Sequence, residues 1–264
     1  VDCRHDLMNP DAGAKAYAEG HLPGAAFLHL DRDLSSPANG RNGRHPLPDP
    51  QAFAALLASL GANEKTLIIG YDASAGVYAS RLWWMCRWIG HLKCGVLDGG
   101  FQQWLAADGP LSVEPFTPKA PGKITVRPSL APLWTVDHVQ AWVNAGSDRD
   151  IAYLIDARAP ERYRGDVEPL DPVGGHIPGT INRVFVNNLD SKGCFKPASK
   201  LREEFEAIIG EQDPMAVVHT CGSGVTACHN LLAMEIAGLA GSALYAGSWS
   251  EWCSDPSRPM AKGD

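Results

Sequence analysis

Val217-Val218-His219-Thr220-Cys221-Gly222-Ser223-Gly224-Val225-Thr226-Ala227-Cys228-His229 is the stretch from which the rest of the chain can be read. A short apolar run ends at Cys221, and a helical pattern resumes at Thr226 and continues to Gly238. Strand, glycine-bearing loop and helix follow in that order, with a cysteine at the first loop position. Gly222 and Gly224 let consecutive backbone N–H groups turn inward, and the helix adds the positive end of its dipole. A thiolate in such a nest receives hydrogen bonds and a favourable field. The plainer alternative is a buried cysteine serving as a small hydrophobe at a strand end. A cysteine in that role would not need glycines packed around it.

At 264 residues the chain has room for one large or two ordinary domains, each with a sizeable core. Apolar residues make up 45%, and no run is long enough to cross a membrane. A formal charge of -7 argues against a nucleic-acid groove and against a stable hold on anionic lipid, so neither partner is expected. Seven cysteines, odd in number and widely spaced, form no disulfide framework and point to a reducing, cytoplasmic setting. The chain opens at Val1-Asp2-Cys3-Arg4, inside an element rather than before one, so further N-terminal residues are expected.

Laid against itself, the sequence repeats. Asp2-Cys3-Arg4 returns as Asp156-Ala157-Arg158, and Gly20-His21-Leu22-Pro23-Gly24 as Gly175-His176-Ile177-Pro178-Gly179. The run from Leu67 to Asp72 aligns with that from Ala216 to Cys221. Asp98-Gly99-Gly100-Phe101 with Trp104 aligns with Ala246-Gly247-Ser248-Trp249 with Trp252. The spacing predicts two related domains, at 1–110 and 132–264, joined by a proline-rich linker over 111–131 that runs along the surface. Helices are expected over 50–60, 77–89, 136–143, 199–209 and 227–237, and strands over 67–70, 95–97, 152–155 and 243–245. The fold class is therefore α/β: two tandem domains, each a mostly parallel sheet with helices on both faces.

The halves differ where chemistry would sit. The first places Asp72 at the position of Cys221, followed by a helix crowded with Trp83, Trp84 and Trp88. The second half then reads as the catalytic one and the first as a scaffold. The Asp2/Arg4 and Asp156/Arg158 pairs read as a repeated structural ion pair.

Several chemistries fit the loop poorly. A phosphatase would need an arginine six positions after the cysteine, where Ala227 stands. A papain-like protease needs a histidine base over the thiol, and His219 reads instead as a packing or backbone-bonded residue. His219, Cys221, Cys228 and His229 lack metal-knuckle spacing, so no metal is expected, and Ser223 does not sit in a G-x-S-x-G elbow. A nucleophilic thiolate remains, in a neutral, N–H-rich cradle of Gly222, Gly224, Val225 and Thr226. That cradle suits a persulfide, and Ser223 and Thr226 can add hydroxyls.

With these residues in view, the chain resembles the two-domain rhodanese-type sulfurtransferases over nearly its whole length. Cys221-Gly222-Ser223-Gly224-Val225-Thr226 matches the 3-mercaptopyruvate branch, and both Gly-His-x-Pro-Gly turns and Gly247-Ser248-Trp249-Ser250-Glu251-Trp252 match the family. The resemblance implies an enzyme without a cofactor, working in two steps. Cys221 would take sulfur from a small donor and pass it to cyanide, thioredoxin or another thiol. It also implies catalytic roles for Ser223, and for Asp31 and His45 from the inactive domain, with two arginines on the donor's carboxylate. The first arginine is matched by Arg164. The second has no counterpart, because Leu170 or Asp171 stands there, and Arg44 or Arg41 is the expected substitute. The segment over 166–174 is closer to the thiosulfate sulfurtransferases. A thiosulfate donor, or a persulfide carrier that processes no small donor, stays open as an alternative.

Overall fold

The computed structural model describes residues 1–264. The chain forms two compact units. Unit 1 comprises Val1–Pro37, Leu47–Leu130 and Ser191–Cys194; unit 2 comprises Ala38–Pro46, Ala131–Asp190 and Phe195–Asp264. The run expected as a linker is bound along unit 1 as far as Leu130. His21 and Ser112 exchange backbone bonds, Gly122 N–H reaches Ala58 O at 2.7 Å, and Arg127 N–H reaches Ile89 O at 3.0 Å. Prolines spaced through that run deny it a ladder of its own, so its remaining donors find the neighbouring helices.

Unit 1 carries α1 (Ala12–Glu19), α2 (Leu30–Asp33), α3 (Pro50–Ser59), β1 (Ile68–Gly70), α4 (Val77–Trp88), β2 (Cys94–Val96) and α5 (Gly100–Ala106). Pro50 opens α3 with its φ already helical, and the Asp49 carboxylate accepts from the N–H groups of Gln51 and Ala52. β1 and β2 pair in parallel. The first residues extend the same sheet: Cys3 N–H donates to Tyr71 O, Asp2 N–H to Ala26 O and Leu28 N–H to Asp2 O.

Unit 2 carries β3 (Leu133–Trp134), α6 (Val136–Asn144), β4 (Tyr153–Asp156), α7 (Pro160–Arg164), β5 (Ile181–Asn182), α8 (Ala198–Ile209), β6 (Val217–Thr220), α9 (Thr226–Ile236), β7 (Ala243–Tyr245) and α10 (Ser248–Trp252). Its five strands lie in the order β3-β7-β6-β4-β5, all parallel. Alternation along the strands divides the core into two layers. Leu154 and Val218 join Val139 and Trp142 of α6 and Trp249 and Trp252 of α10. Ile155 and Val217 join Leu201 and Phe205 of α8 and Ala233 and Met234 of α9.

The repeat seen in the sequence is physical. In each unit an arginine folds back on the aspartate two positions earlier with three bonds, Arg4 on Asp2 and Arg158 on Asp156, at 2.7 to 3.1 Å. Each arginine also donates to the carbonyl opening the Gly-His turn, Gly20 or Gly175, at 2.7 Å. Arg4 lies over the ring of Phe101 and Arg158 over that of Trp249. The turn histidines stack on tyrosines, His21 on Tyr17 and His176 on Tyr163, each at 3.8 Å between centroids. In both, Nδ1 bonds the same tyrosine's backbone carbonyl.

Asp72, at the repeat position of Cys221, is wholly buried. Its carboxylate accepts four backbone N–H bonds: Oδ1 from Ser74 and Gly76 at 2.7 and 2.9 Å, Oδ2 from Tyr78 and Ala79 at 2.8 and 2.9 Å. Removing it strands four buried donors. Asp72→Ala should therefore lower the free energy of unfolding by about 3 kcal/mol or more. Asp72→Asn, which keeps one acceptor oxygen, should lose less. Urea unfolding checks the order, and an alanine variant as stable as the parent would contradict this account of the loop.

Candidate active site

Cys221 follows β6, the middle strand of the unit 2 sheet, at the carboxyl end where open parallel sheets place their ligands. Its side chain is 1% exposed. The start of α10 fixes the loop from below: Trp249 N–H donates to Cys221 O at 3.0 Å and Ser250 N–H to Gly222 O at 2.9 Å. Ser248 Oγ accepts from Cys221 N–H at 3.1 Å, donates to Tyr245 O at 2.9 Å and stands 4.0 Å from Cys221 Sγ. Ser248 holds φ +54°, a left-handed conformation that disfavours a residue with a Cβ, and its repeat counterpart is Gly100 at φ +55°. The Ser248 side chain is held there by its bonds to Cys221 N–H and Tyr245 O.

Gly224 has φ +74°, and a Cβ there would collide with the backbone of Ala246. Gly222 is needed for a different reason. A Cβ on it would come within 2.9 Å of Arg44 Nη2 and 3.5 Å of both Arg162 Nη atoms, so two guanidinium groups lie against this loop. α9 begins at Thr226 directly after the loop, and no side chain caps it. Its first-turn N–H groups therefore belong to the loop region.

The segment 38–46 belongs to unit 2 and brings two residues to the loop. His45 Nδ1 lies 2.7 Å from Ser223 Oγ, with His45 6% and Ser223 4% exposed. Arg44 donates its backbone N–H to Ser250 Oγ at 3.1 Å and its side chain to Asp171. Arg162 is gripped by Glu168, at 3.2 and 2.6 Å, and touches Asp171 at 3.3 Å. Burial pushes the Asp171 carboxyl up, and Arg44 opposes that shift. Beside the Arg44–Asp171 pair lies a cavity of about 310 Å³, lined by Gly43, Leu170, Pro172, Ser250 and Cys253 among others. Burial pushes the Cys253 thiol up to about 11, with Asp171 and Glu168 adding to the shift. That holds it as a neutral thiol.

His219 packs as expected, with a sulfur rather than a backbone group as its partner: Nε2 lies 3.0 Å from Met234 Sδ. Burial, with Arg183 adding to it, lowers its pKa to about 3, so it stays neutral.

The rhodanese-like domain model matches residues 1–107 and 135–255. The chain belongs to the rhodanese family. It is a rhodanese-fold sulfurtransferase, made of two tandem rhodanese-like domains. It is similar to the probable 3-mercaptopyruvate sulfurtransferase of Pseudomonas aeruginosa, 44% identical over 267 residues and covering 100% of this chain and 92% of that protein. It is also 38% identical over 247 residues to the thiosulfate sulfurtransferase of Bos taurus, covering 90% of this chain and 79% of that one. The crystal structure of SseA from Escherichia coli, a 3-mercaptopyruvate sulfotransferase, superposes with a TM-score of 0.79 at 29% identity. The match covers 94% of this chain and 91% of that one.

In this chain Gly222, Ser223, Gly224 and Val225 follow Cys221 in the loop and Thr226 opens α9, while His45 lies on Ser223 and Arg44 against Gly222. Arg164 does not join them. It pairs with Asp166 at 2.8 Å and lines a separate cavity with Arg149, Tyr163 and Asn182. The arginine of α7 against the loop is Arg162, two positions earlier, which two helical steps of about 100° each place on a different face. Asp31 lies in unit 1 on α2, its backbone N–H bonded to His29 Nδ1 at 3.1 Å. Arg41 lines another cavity, with Asp255 and Arg258. Sequence reasoning missed Arg162, Glu168 and Ser248. The one available signal was Ser248 standing where the other repeat has Gly100.

At Gly222 an added methyl meets the far end of Arg44, which can move, whereas at Gly224 it meets backbone. Gly222→Ala should keep stability within about 1 kcal/mol of the parent and raise KM for an anionic donor several-fold. Gly224→Ala should destabilise by about 1–3 kcal/mol and lower kcat. Thermal unfolding and steady-state kinetics on the pair check this, and identical behaviour of the two variants would contradict it.

Proposed function

We propose that this chain moves sulfane sulfur from 3-mercaptopyruvate to a thiol or cyanide through a persulfide on Cys221. The Cys221 thiolate attacks the donor's sulfur and the carbon–sulfur bond breaks. The electron pair leaves with carbon as the enolate of pyruvate, and the donor's thiol proton ends on that carbon. The products are a Cys221 persulfide anion and pyruvate. In the second step an acceptor nucleophile takes the outer sulfur and the thiolate returns; cyanide leaves as thiocyanate, a thiol as its persulfide.

The observation that supports the donor is the His45–Ser223 pair beside the loop, with Arg44 and Arg162 alongside. A 3-mercaptopyruvate step needs a proton delivered to carbon, and a histidine–serine pair next to the nucleophile can relay one. The arginines suit the donor's carboxylate. Thiosulfate brings no proton and needs only the anion site, and the segment over 166–174, closer to the thiosulfate sulfurtransferases, is the feature that favours it as the second reading. The loop of the first unit supplies the precedent: at the repeat position of Cys221, four N–H groups bond the Asp72 carboxyl and oppose the rise that burial gives its pKa. The counterparts of Ser74, Gly76, Tyr78 and Ala79 by that register are Ser223, Val225, Ala227 and Cys228; Val225 O takes the Cys228 N–H at 3.0 Å, and the other three support the reading of a cradle for a thiolate and then a persulfide. A small thiol or thioredoxin as acceptor requires a reducing compartment, and the cytoplasm is the assignment that fits. No helix is long and apolar enough to cross a membrane.

Intact-mass spectrometry after donor treatment should show one added sulfur on the parent and on Cys86→Ser, and none on Cys221→Ser. With a fixed acceptor, kcat/KM for 3-mercaptopyruvate should exceed that for thiosulfate by about tenfold, equivalent to ~1.4 kcal/mol in the transition state. His45→Ala should slow the mercaptopyruvate reaction far more than the thiosulfate one. Equal losses with both donors, or thiosulfate as the better donor, would transfer the assignment to the second reading.

A further inference from the structure

Asp171 is a carboxylate of the protein placed where a donor's own anionic group would be held. Its side chain is 2% exposed, and its two oxygens take different partners: Oδ1 receives Arg44 Nη1, and Oδ2 receives Arg162 Nη2 at 3.3 Å. These are the two guanidinium groups that lie against Gly222, next to Cys221. Their anchorage is unequal. Arg162 has an independent hold in Glu168, and the side chain of Glu168 also reaches Arg158 at 3.7 Å. Arg44 is fixed through its backbone to Ser250, while its side chain answers to Asp171.

The charges at the clamp balance. Arg44 and Arg162 bring two positive charges, and Asp171 and Glu168 bring two negative ones. A monocarboxylate entering here completes the coordination of guanidinium groups already half satisfied. A compact dianion meets a site with no net positive charge to offset its second one, at a depth where water screens little.

We propose that Asp171 is a specificity-determining residue, an internal carboxylate that occupies the shared face of Arg44 and Arg162 and selects donors of low anionic charge. The proposal rests on the reading of Cys221 as the sulfur-accepting centre. Asp171 touches the arginines rather than the reacting sulfur, so it acts by positioning and by charge. Asn at this position keeps an oxygen for Arg44 and removes the charge. Glu keeps the charge.

The test is steady-state kinetics of the full chain, its Asp171→Asn and its Asp171→Glu variants with 3-mercaptopyruvate and thiosulfate, alongside cyanolysis of the preformed persulfide. Asp171→Asn should lower KM for thiosulfate about tenfold and KM for 3-mercaptopyruvate by less, moving the donor ratio toward thiosulfate. Asp171→Glu should restore the parent ratio, and cyanolysis should not follow the change in KM. A rise in KM for both donors, or an unchanged ratio, overturns the proposal, because a residue that merely props the arginines behaves that way. The parent gives a second measure that needs no variant to fold: pyruvate should compete with the donor at lower concentration than sulfate, and the reverse order overturns the proposal. A parent that forms no persulfide on Cys221 refutes the underlying reading itself. Persulfide on Cys221 with an unmoved donor ratio refutes the role of Asp171 alone.

Discussion

Both units turn a strand into a helix through a tight loop, and the backbone N–H groups of such a turn need partners. Buried donors of this kind are expensive to leave unmade. The first unit answers with Asp72, whose carboxylate takes four of them and closes the loop for good. In the second unit the repeat position holds Cys221, whose sulfur can change its charge and its bonding. Under the proposed function, the same strand–loop–helix turn is where an anion is made and passed on. Everything around Cys221 serves to keep that loop in one shape: Ser248 at a strained φ, Gly224 where no Cβ fits, and two bonds from the start of α10.

The groups that would handle the donor are themselves held by burial and charge. Arg158 is locked onto Asp156 and the Trp249 ring, so it supports the loop's surroundings while being committed elsewhere. Arg162 is set by Glu168, and Arg44 by Asp171 and Ser250. His45 arrives on the 38–46 segment, which comes from the sequence of the first repeat and belongs structurally to the second unit. Its burial against Ser223 fits a relay protected from bulk water better than a solvated loop histidine.

The large features of this arrangement could be read from the chain because they rest on local, repeated patterns. The Asp-x-Arg pairs, the Gly-His-x-Pro-Gly turns and the strand–loop–helix around Cys221 each carry their geometry in a few adjacent residues. The long helices α3, α4, α6, α8 and α9 start and stop within a residue or so of expectation, because several turns of periodicity define them. Shorter pieces such as α7, α10, β3 and β5 span two to five residues and show no period at all. That Arg162 rather than Arg164 lies against the loop has the same origin. Two arginines two positions apart match a motif about equally well, and only the direction in which a five-residue helix is docked separates them. The Arg44–Asp171 contact joins positions 127 apart in sequence and has no local signature.

The central claim is that the loop of the second unit holds a sulfur anion as the first holds its carboxylate. A crystal structure of the persulfidated chain tests this most directly. The account predicts the outer sulfur on Cys221, directed into the loop and within hydrogen-bonding reach of the backbone N–H groups over 223–227. An outer sulfur on Cys221 that points away from the loop, or one carried by another cysteine, would contradict it.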